Sequence, residues 1–389
     1  MSLSCCKHLL RALIILALPG SLRAAAMEAD ATARLLAGLR EESSAFADPS
    51  LESVWTEHAR QFDSAWAQLE QRQLEPIRAW APQFLGDAYE NDAPMFYMFS
   101  GPDFLYANAF YPDARTYILC GIEPVGAVPD IASIPPALLP SALANLRKSL
   151  DSVLSWSFFI TKNMKSDLNQ TQLNGTLPVL YVFLARAGYT IENVELVALD
   201  RAGDFTAMAK GATPGVKIEF NATGGPRQTL FYFSSDLSDG GVEANPGFLR
   251  FCETRGRGAA LLKAASYLMH GRNFNRVRDF LLTHSRIILQ DDSGIPYRYF
   301  QPAQWTLRQC GRYVGPIALF KQYPQPDLAR AFNISAPAPL AFGFGYQWQA
   351  NRTSLVIARP KEALALPPEE EPEELSVGEG AAGAVPDDD

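Results

Sequence analysis

A short polar turn, Ser100–Asp103, directly follows an apolar, aromatic run that the composition predicts to be a strand. Glu123 stands at the equivalent place after the next apolar run. Ligands of open α/β sheets gather at the carboxyl ends of parallel strands, and a helix that begins there favours anions. We therefore predict Ser100, Asp103 and Glu123 as candidate site residues. The structural alternative is that Ser100 or Asp103 caps a helix and that Glu123 is a surface acid.

An acid at the end of the second strand loosely resembles the arrangement in Rossmann-like nucleotide binders. The glycine-rich phosphate loop of that family is missing from this chain. No cofactor is predicted for this reason.

His284 is the fourth candidate for a catalytic role. It immediately precedes an apolar run, 285–290, which Asp291 and Asp292 follow. A strand of that length would hold the histidine roughly 20 Å from the two aspartates, because each residue of a strand rises about 3.3 Å. The three groups therefore do not form one acid–base pair. With the glycine that follows, the aspartates predict a hairpin turn.

Arg255 and Arg257 are candidates for anion binding. They alternate with glycines directly before 259–270, which the pattern predicts to be a helix. Glycines let backbone amides approach an anion, and two guanidinium groups can clamp a phosphate or a carboxylate. The motif matches no phosphate-loop consensus, and a solvated turn is the alternative.

The first 26 residues have the order of a secretory leader. Lys7 and Arg11 precede a short apolar run, and small residues at 24–26 follow. A bilayer span needs about 20 apolar residues, so the run is too short to anchor the chain. We expect cleavage near Ala26, a mature chain that begins close to Met27, and a secreted or periplasmic product with no transmembrane segment.

Three cysteines, Cys120, Cys252 and Cys310, remain after the leader. Their spacing matches no metal-ligand pattern, so no metal site is predicted. An oxidising compartment permits one disulfide, and the sequence leaves open whether any pair forms it. Cys120 has the neighbours of a buried strand, which favours an inert thiol over a nucleophile. The chain also carries five Asn-x-Ser/Thr sequons, whose use depends on the host, at Asn169, Asn174, Asn221, Asn333 and Asn351.

The formal charge of −8 on 389 residues is concentrated at the C-terminus. Nine carboxylates lie within the last 21 residues, and three basic residues lie within the leader. Without those twelve groups the formal charge of the body is −2. A nearly neutral body argues against nucleic acid as the main partner.

An α/β fold with a mixed sheet is the architecture that the pattern favours. Residues 27–46 and 51–80 predict two helices, with a kink or an end at Pro76 in the second. The unit of strand, helix and strand at 95–122 predicts parallel pairing in the first half of the sheet. Further helices are expected at 140–159 and 177–187, and a further strand at 193–199.

The second half of the chain predicts antiparallel hairpins. Residues 216–221 and 228–233 form the first predicted hairpin. The second joins 285–290 to 296–300, and the third joins 341–348 to 354–357.

Four segments follow from these patterns: a leader at 1–26, an N-terminal helical pair at 27–88, an α/β main domain at 89–360 and a disordered acidic tail at 361–389. The candidate residues form no triad and no ligand set, so we expect a non-catalytic binding or envelope-associated protein that recognises an unidentified ligand or envelope component. The alternative is a hydrolase-like or group-transfer enzyme with its site at the carboxyl ends of the parallel strands, to which His284 could contribute.

Overall fold

The computed structural model describes residues 19–39, 50–86, 92–159 and 173–361. Its centre is a ten-stranded mixed sheet with the strand order β4-β3-β5-β6-β2-β1-β7-β8-β10-β9. The strands are β1 (Pro94–Tyr97), β2 (Thr116–Gly121), β3 (Tyr189–Leu199), β4 (Phe205–Thr206), β5 (Thr213–Ala222), β6 (Gln228–Ser234), β7 (Gly258–Leu262), β8 (Ser285–Gln290), β9 (Trp305–Gly311) and β10 (Ser354–Pro360).

Helices cover both faces of the sheet. They are α1 (Pro19–Leu36), α2 (Ser50–Leu69), α3 (Glu75–Leu85), α4 (Phe104–Phe110), α5 (Leu139–Trp156), α6 (Leu177–Arg186), α7 (Asp239–Ala244), α8 (Gly247–Glu253), α9 (Asn275–His284) and α10 (Pro326–Ser335). Within the described residues, no helix is both long and apolar enough to cross a bilayer.

The five central strands, β6, β2, β1, β7 and β8, run parallel to one another. Antiparallel strands extend the sheet on both sides, with β5, β3 and β4 beyond β6 and with β10 and β9 beyond β8. The predicted α/β fold with a mixed sheet is confirmed, and parallel pairing extends into the second half of the chain at β7 and β8.

Alternation along β1 explains why the central strands are apolar throughout. Met95 and Tyr97 belong to the hydrophobic core on one face of the sheet, whereas Phe96 and Met98 belong to the core on the other. A parallel strand with helices on both faces must be apolar on both sides.

The N-terminal helices are present and share the larger core with the sheet. α1 packs on β3 and α6, and α2 packs on α5. The two helices meet where the indole N–H of Trp55 donates to the carbonyl of Leu35 over 3.0 Å. A π-helical turn, Glu70–Leu74, separates α2 from α3 immediately before Pro76, which has no N–H to donate to the preceding turn.

Three secondary-structure predictions for the second half of the chain are wrong, one for a helix and two for hairpins. Residues 259–270 are not one helix, because 258–262 form the buried strand β7 and a 3-10 helix, Ala264–His270, follows. A short apolar run has the same pattern in a buried strand and in a buried helix. The first hairpin, β5 with β6, is confirmed.

The other two hairpins fail because their strands pair with distant partners. β8 lies between β7 and β10, and 297–299 form a 3-10 turn. β10 lies between β8 and β9, and no strand forms within 341–348. Residues 1–18, 40–49 and the tail after Lys361 lie outside the described part of the chain, so the predictions that fall on them stay predictions.

Candidate functional site

A pocket of about 240 Å³ opens at the carboxyl ends of β1, β2, β6 and β7. Half-buried phenylalanines form much of its wall, and the partly exposed Ile122 and Leu268 stand among its apolar residues. The apolar side chains are Phe99, Ile122, Phe158, Phe159, Leu237, Ala264, Ala265, Leu268 and Phe274, and the polar ones are Tyr97, Ser100, Asp103, Glu123, Ser235, Asp236 and Lys263.

Asp103 caps α4, as the alternative interpretation predicted, and it also accepts from the side chains of Tyr97 and Lys263. One carboxylate oxygen accepts from the backbone N–H of Tyr106 over 3.3 Å, which is the helix cap. The other oxygen accepts from the hydroxyl of Tyr97 over 2.8 Å and from the ammonium of Lys263. Both members of this ion pair are almost fully buried. Asp103 is therefore the centre of a buried polar cluster at the pocket floor.

Lys263 is the first residue after β7. Its ammonium contacts Asp103 and two further groups. Besides Asp103, it donates to the carbonyl of Ser157 over 2.6 Å. Its Nζ also lies 3.7 Å from the centre of the Tyr106 ring, a cation–π distance. Burial lowers the pKa of the Lys263 ammonium, and the charge of Asp103 opposes that shift.

Ser100 joins the turn after β1 to the end of β2. Its hydroxyl oxygen accepts from the backbone N–H of Cys120 over 3.2 Å and lies 2.8 Å from the carbonyl of Gly101. The hydroxyl is thus held by backbone groups, and no histidine lies among the residues that line the pocket.

Glu123 is 3% exposed and folds back over Gly121. A Cβ atom at Gly121 would clash with the carboxylate of Glu123 and would lie 2.8 Å from the Cα of Gly101. The absence of a side chain at this position lets the loops after β1 and β2 approach each other. The structure therefore brings Ser100, Asp103 and Glu123 together at one pocket.

Unusual backbone conformations cluster at this site. Within the described residues, four non-glycine residues have a positive φ, and three of them surround the Lys263 ammonium or the pocket. These are Phe99 (φ 61°), Ser157 (φ 99°) and Ala264 (φ 58°). Such conformations cost on the order of 1–3 kcal/mol each and are concentrated at functional sites.

Asp291 and Asp292 lie just behind this floor, at the carboxyl end of β8. They are not in a hairpin turn, because β8 pairs only with strands that are distant in sequence. Asp291 accepts from the backbone N–H of Ser293 over 2.9 Å and of Ala264 over 3.3 Å, and Asp292 accepts from the hydroxyl of Tyr267. Burial raises the pKa of both carboxyl groups, and the charge of Asp291 raises that of Asp292 further.

His284 is placed away from these groups. It ends α9 and precedes β8, so it lies at the amino end of a strand whose carboxyl end carries Asp291. Its ring stacks on Phe280 with centroids 4.6 Å apart, and its Nδ1 lies 2.8 Å from the hydroxyl of Thr283. The structure does not bring it to the pocket.

Arg255 and Arg257 also lie at the opposite edge of the sheet, before β7. The guanidinium of Arg255 stacks 4.3 Å from the centre of the Phe251 ring. Arg257 donates to the carbonyl of Ser285 over 3.0 Å. Both side chains therefore pack against the protein at a distance from the pocket, and the helix that they were predicted to precede is strand β7.

The three cysteines Cys120, Cys252 and Cys310 are buried and free. Burial raises the pKa of each thiol, so each remains protonated at neutral pH. Among the residues that the structure describes, no three His, Cys, Asp or Glu side chains are grouped as ligands for a metal ion.

Sequence reasoning missed Lys263 and the role of the aspartate pair. A signal was present, since Lys263 ends an apolar run in the same way that Ser100 and Glu123 follow theirs. The predicted helix over 259–270 placed Lys263 inside a helix, so its position at the end of a strand was not recognised. The phenylalanines at the end of α5 gave no signal, because their place depends on how that helix packs.

Comparisons with protein-family models, with curated proteins and with solved structures find no match to this chain.

Proposed function

We propose that this protein binds a small, largely apolar organic molecule in the pocket at the carboxyl ends of β1, β2, β6 and β7. One observation carries the proposal: an apolar, aromatic wall stands over a buried ion pair, Lys263 with Asp103. Ligand sites are typically concave and mostly apolar, with a few fixed polar groups that orient the ligand.

Binding is favoured over catalysis by how the polar groups are engaged. The hydroxyl of Ser100 is held by backbone groups, and the ammonium of Lys263 is held by Asp103 and Ser157. A nucleophile needs a base within hydrogen-bond reach. Among the described residues, Ser100 bonds to backbone groups, and the carboxylate beside Lys263, that of Asp103, is already paired with it. Such a cluster suits recognition by shape and fixed charge.

The alternative, a hydrolase-like or group-transfer enzyme, is favoured by the convergence of Ser100, Asp103 and Glu123 at one pocket and by the strained backbone around it. Hydrolysis of a p-nitrophenyl ester at a rate that depends on the pocket would support this alternative.

We also propose that the protein is exported, on the leader pattern in its first 26 residues. α1 supports this proposal by the distribution of its burial. Ala25 and Met27 are exposed, whereas Ala29, Ala33 and Leu36 are buried in the core. Cleavage near Ala26 would leave every one of those core contacts in place.

A pocket-filling variant tests the proposed binding. Ala265 lines the pocket, so Ala265→Phe should fill it, and Ala222→Phe places the same ring on an exposed site at the opposite sheet edge. The full chain would be screened by thermal melts against small aromatic and aliphatic alcohols, amines and acids. A ligand at 100 times its Kd adds about 2.7 kcal/mol to the free energy of unfolding.

We expect at least one class of compound to raise the melting temperature of wild type and of Ala222→Phe but not of Ala265→Phe. The proposal fails if no compound raises it, or if Ala265→Phe responds as wild type does. Loss of ester hydrolysis in Ala265→Phe alone would instead favour the enzyme.

A further inference from the structure

β9 is the last strand of the sheet, so one of its edges has no neighbouring strand among the described residues. The N–H of Gly311 donates away from β10, to the carbonyl of Ala338 over 3.0 Å. Backbone groups alternate in direction along an antiparallel strand. Leu307 and Gln309 therefore direct their N–H and C=O groups outward, and these groups have no backbone partner in the described part of the chain.

A groove of about 390 Å³ lies along this open edge, and we call it the edge groove. Its walls are β9, the aromatic side of α3 and the segment 337–340 that follows α10. The edge groove shares no lining residue with the pocket at the carboxyl ends of the parallel strands. It is therefore a second, separate candidate site.

Two stacked aromatic rings form one wall of the edge groove. Trp80 and Phe84 are half-buried, and their ring centroids are 4.5 Å apart. Grooves lined by aromatic rings bind extended proline-containing segments, because such segments lose little conformational entropy on binding. The open backbone groups of β9 suit the same kind of occupant, since they can bond to an extended main chain.

The charged side chains at this groove are basic. Arg308 is the one charged residue among the described residues that line it. Its guanidinium lies 4.2 Å from the centre of the Phe84 ring and forms no ion pair with a described residue. Arg312 directly follows β9 and is exposed. An occupant with carboxylates is therefore favoured.

A second copy of β9 fits this charge poorly. Two β9 strands that pair antiparallel about their centres would place the two Arg308 side chains opposite each other. Like charges opposite each other on neighbouring strands are destabilising. The favoured occupant is acidic, extended and rich in proline.

The chain itself carries such a segment beside the edge groove. The N–H of Lys361 donates to the carbonyl of Gln304 over 2.8 Å, and Gln304 directly precedes β9. Residues 362–389 therefore leave the described part of the chain at the amino end of the edge strand. Their first eleven residues read Glu-Ala-Leu-Ala-Leu-Pro-Pro-Glu-Glu-Glu-Pro.

This segment is long enough to reach the groove. The open side of β9 is two strand spacings from β10, roughly 10 Å, and the groove begins three residues further along β9 than Gln304, again roughly 10 Å. The two steps combine to roughly 14 Å, whereas the five residues from Lys361 to Leu366 span roughly 16 Å when extended. Leu366 can therefore reach the groove, and Pro367–Glu371 can follow β9 as far as Arg312.

We propose that residues 366–371 of the C-terminal tail dock in the edge groove as an extended segment. The prolines lie against Trp80 and Phe84, and the glutamates lie beside Arg308 and Arg312. Carbonyl groups of the segment accept from the outward N–H groups of β9. The inference is independent of the proposed ligand pocket, and it leaves the prediction of disorder for the remainder of the tail in place.

Binding of the tail in trans tests the proposal. A fluorescent peptide with the sequence of residues 362–374 would be titrated with the full chain and with a chain that ends at Lys361. We expect the shortened chain to bind the peptide and the full chain to bind it about tenfold more weakly, because the tethered tail competes at an effective concentration in the millimolar range. Fluorescence anisotropy measures both affinities.

A second variant keeps the length and the charge of the chain. The full chain with Pro367→Gly and Pro368→Gly retains every glutamate of the tail but loses the preformed extended segment. We expect it to bind the peptide as the shortened chain does.

A matched pair of charge variants locates the binding on the shortened chain. Arg308→Gln removes the cation of the edge groove, and Lys210→Gln removes an exposed cation between β4 and β5, at the opposite edge of the sheet. We expect Arg308→Gln to weaken the peptide about two- to fivefold and Lys210→Gln to match its parent.

Four results would overturn the proposal. The first is no binding of the peptide by either the shortened chain or the glycine variant. The second is equal affinity for the full and the shortened chains, which would assign the groove to a peptide from another protein. The third is an equal loss in Arg308→Gln and Lys210→Gln, which general attraction between opposite charges would explain. The fourth is a dimer of the shortened chain alone in sedimentation, which would assign the groove to a second copy.

Discussion

The ammonium of Lys263 and the carboxylate of Asp103 join the ends of two adjacent parallel strands. Lys263 directly follows β7, and Asp103 lies in the turn between β1 and α4. Ser157, at the end of α5, accepts from the same ammonium over 2.6 Å. One buried contact therefore ties together three segments that are far apart in the sequence and that meet at the pocket.

Removal of the Lys263 charge should strongly destabilise the fold. Lys263→Met would leave the buried carboxylate of Asp103 without its cation, which typically costs about 3–5 kcal/mol. The double variant with Asp103→Asn should cost less than the sum of the two single variants, because neither unpaired charge then remains. Urea unfolding of all four proteins measures this cycle. Additive costs would show that the pair is not coupled.

The aspartate pair behind the pocket should make stability depend on pH. The pKa of Asp292 is raised in the folded chain by burial and by Asp291, so the folded state binds the proton more tightly than the unfolded state does. Stability from this group is then lost as the pH rises from the ordinary aspartate pKa of 3.8 towards the higher folded value.

Asp292→Asn keeps an oxygen for the Tyr267 hydroxyl and removes this titration. We expect its unfolding free energy to fall less than that of wild type between about pH 4 and neutral pH. Denaturant melts across that range would measure the difference. Parallel curves for the two proteins would contradict the assignment.

Gly121 should not tolerate a methyl group. Its Cβ would lie 2.8 Å from the backbone of Gly101, so the two pocket loops would have to separate. We expect Gly121→Ala to cost about 1–3 kcal/mol and to weaken ligand binding. Gly240→Ala is the matched control, because a Cβ there meets nothing within 4 Å. Equal melting temperatures for both variants would refute this explanation.

The mature chain should begin close to Met27. Mass spectrometry of protein exported by its native host, or by a heterologous secreting host, would determine the N-terminus. Deletion of residues 1–26 should leave the melting temperature nearly unchanged, because the α1 side chains that the structure describes as buried, Ala29, Ala33 and Leu36 among them, all follow residue 26. An intact Met1 on the protein in the cytoplasm would remove the basis of the export proposal.

Sequence patterns predicted the elements whose signals are local. β1, α4 and β2 form the strand, helix and strand unit predicted over 95–122, and α5 follows its predicted range of 140–159, because turns bound these elements and their apolar patterns are clear. The errors begin at β7. The five residues of β7 are all buried, so their pattern does not distinguish a strand from a helix. Pairing with β1 and β8 decides that this segment is a strand.

Only some of the site residues could be predicted from the sequence, for the same reason. Ser100, Asp103 and Glu123 follow recognisable strands, so the topology rule for parallel sheets placed them together. Lys263 and Asp291 follow strands whose pairing is not local, and their convergence depends on the order of strands in the finished sheet. Sequence alone therefore offered Asp103 as a candidate site residue or a helix cap, and it could not supply the ion pair with Lys263.

The pocket draws its residues from five stretches of chain, between Tyr97 and Phe274, and no single stretch encloses it. The central parallel strands must pair correctly before any of these residues meet. Under the proposed function, ligand affinity will therefore track the fraction of molecules that have completed the sheet, and a bound ligand will protect the whole sheet, since it binds the folded state alone. Recognition would then be a property of the assembled sheet, and a fragment that lacks any one of the central parallel strands should not retain it.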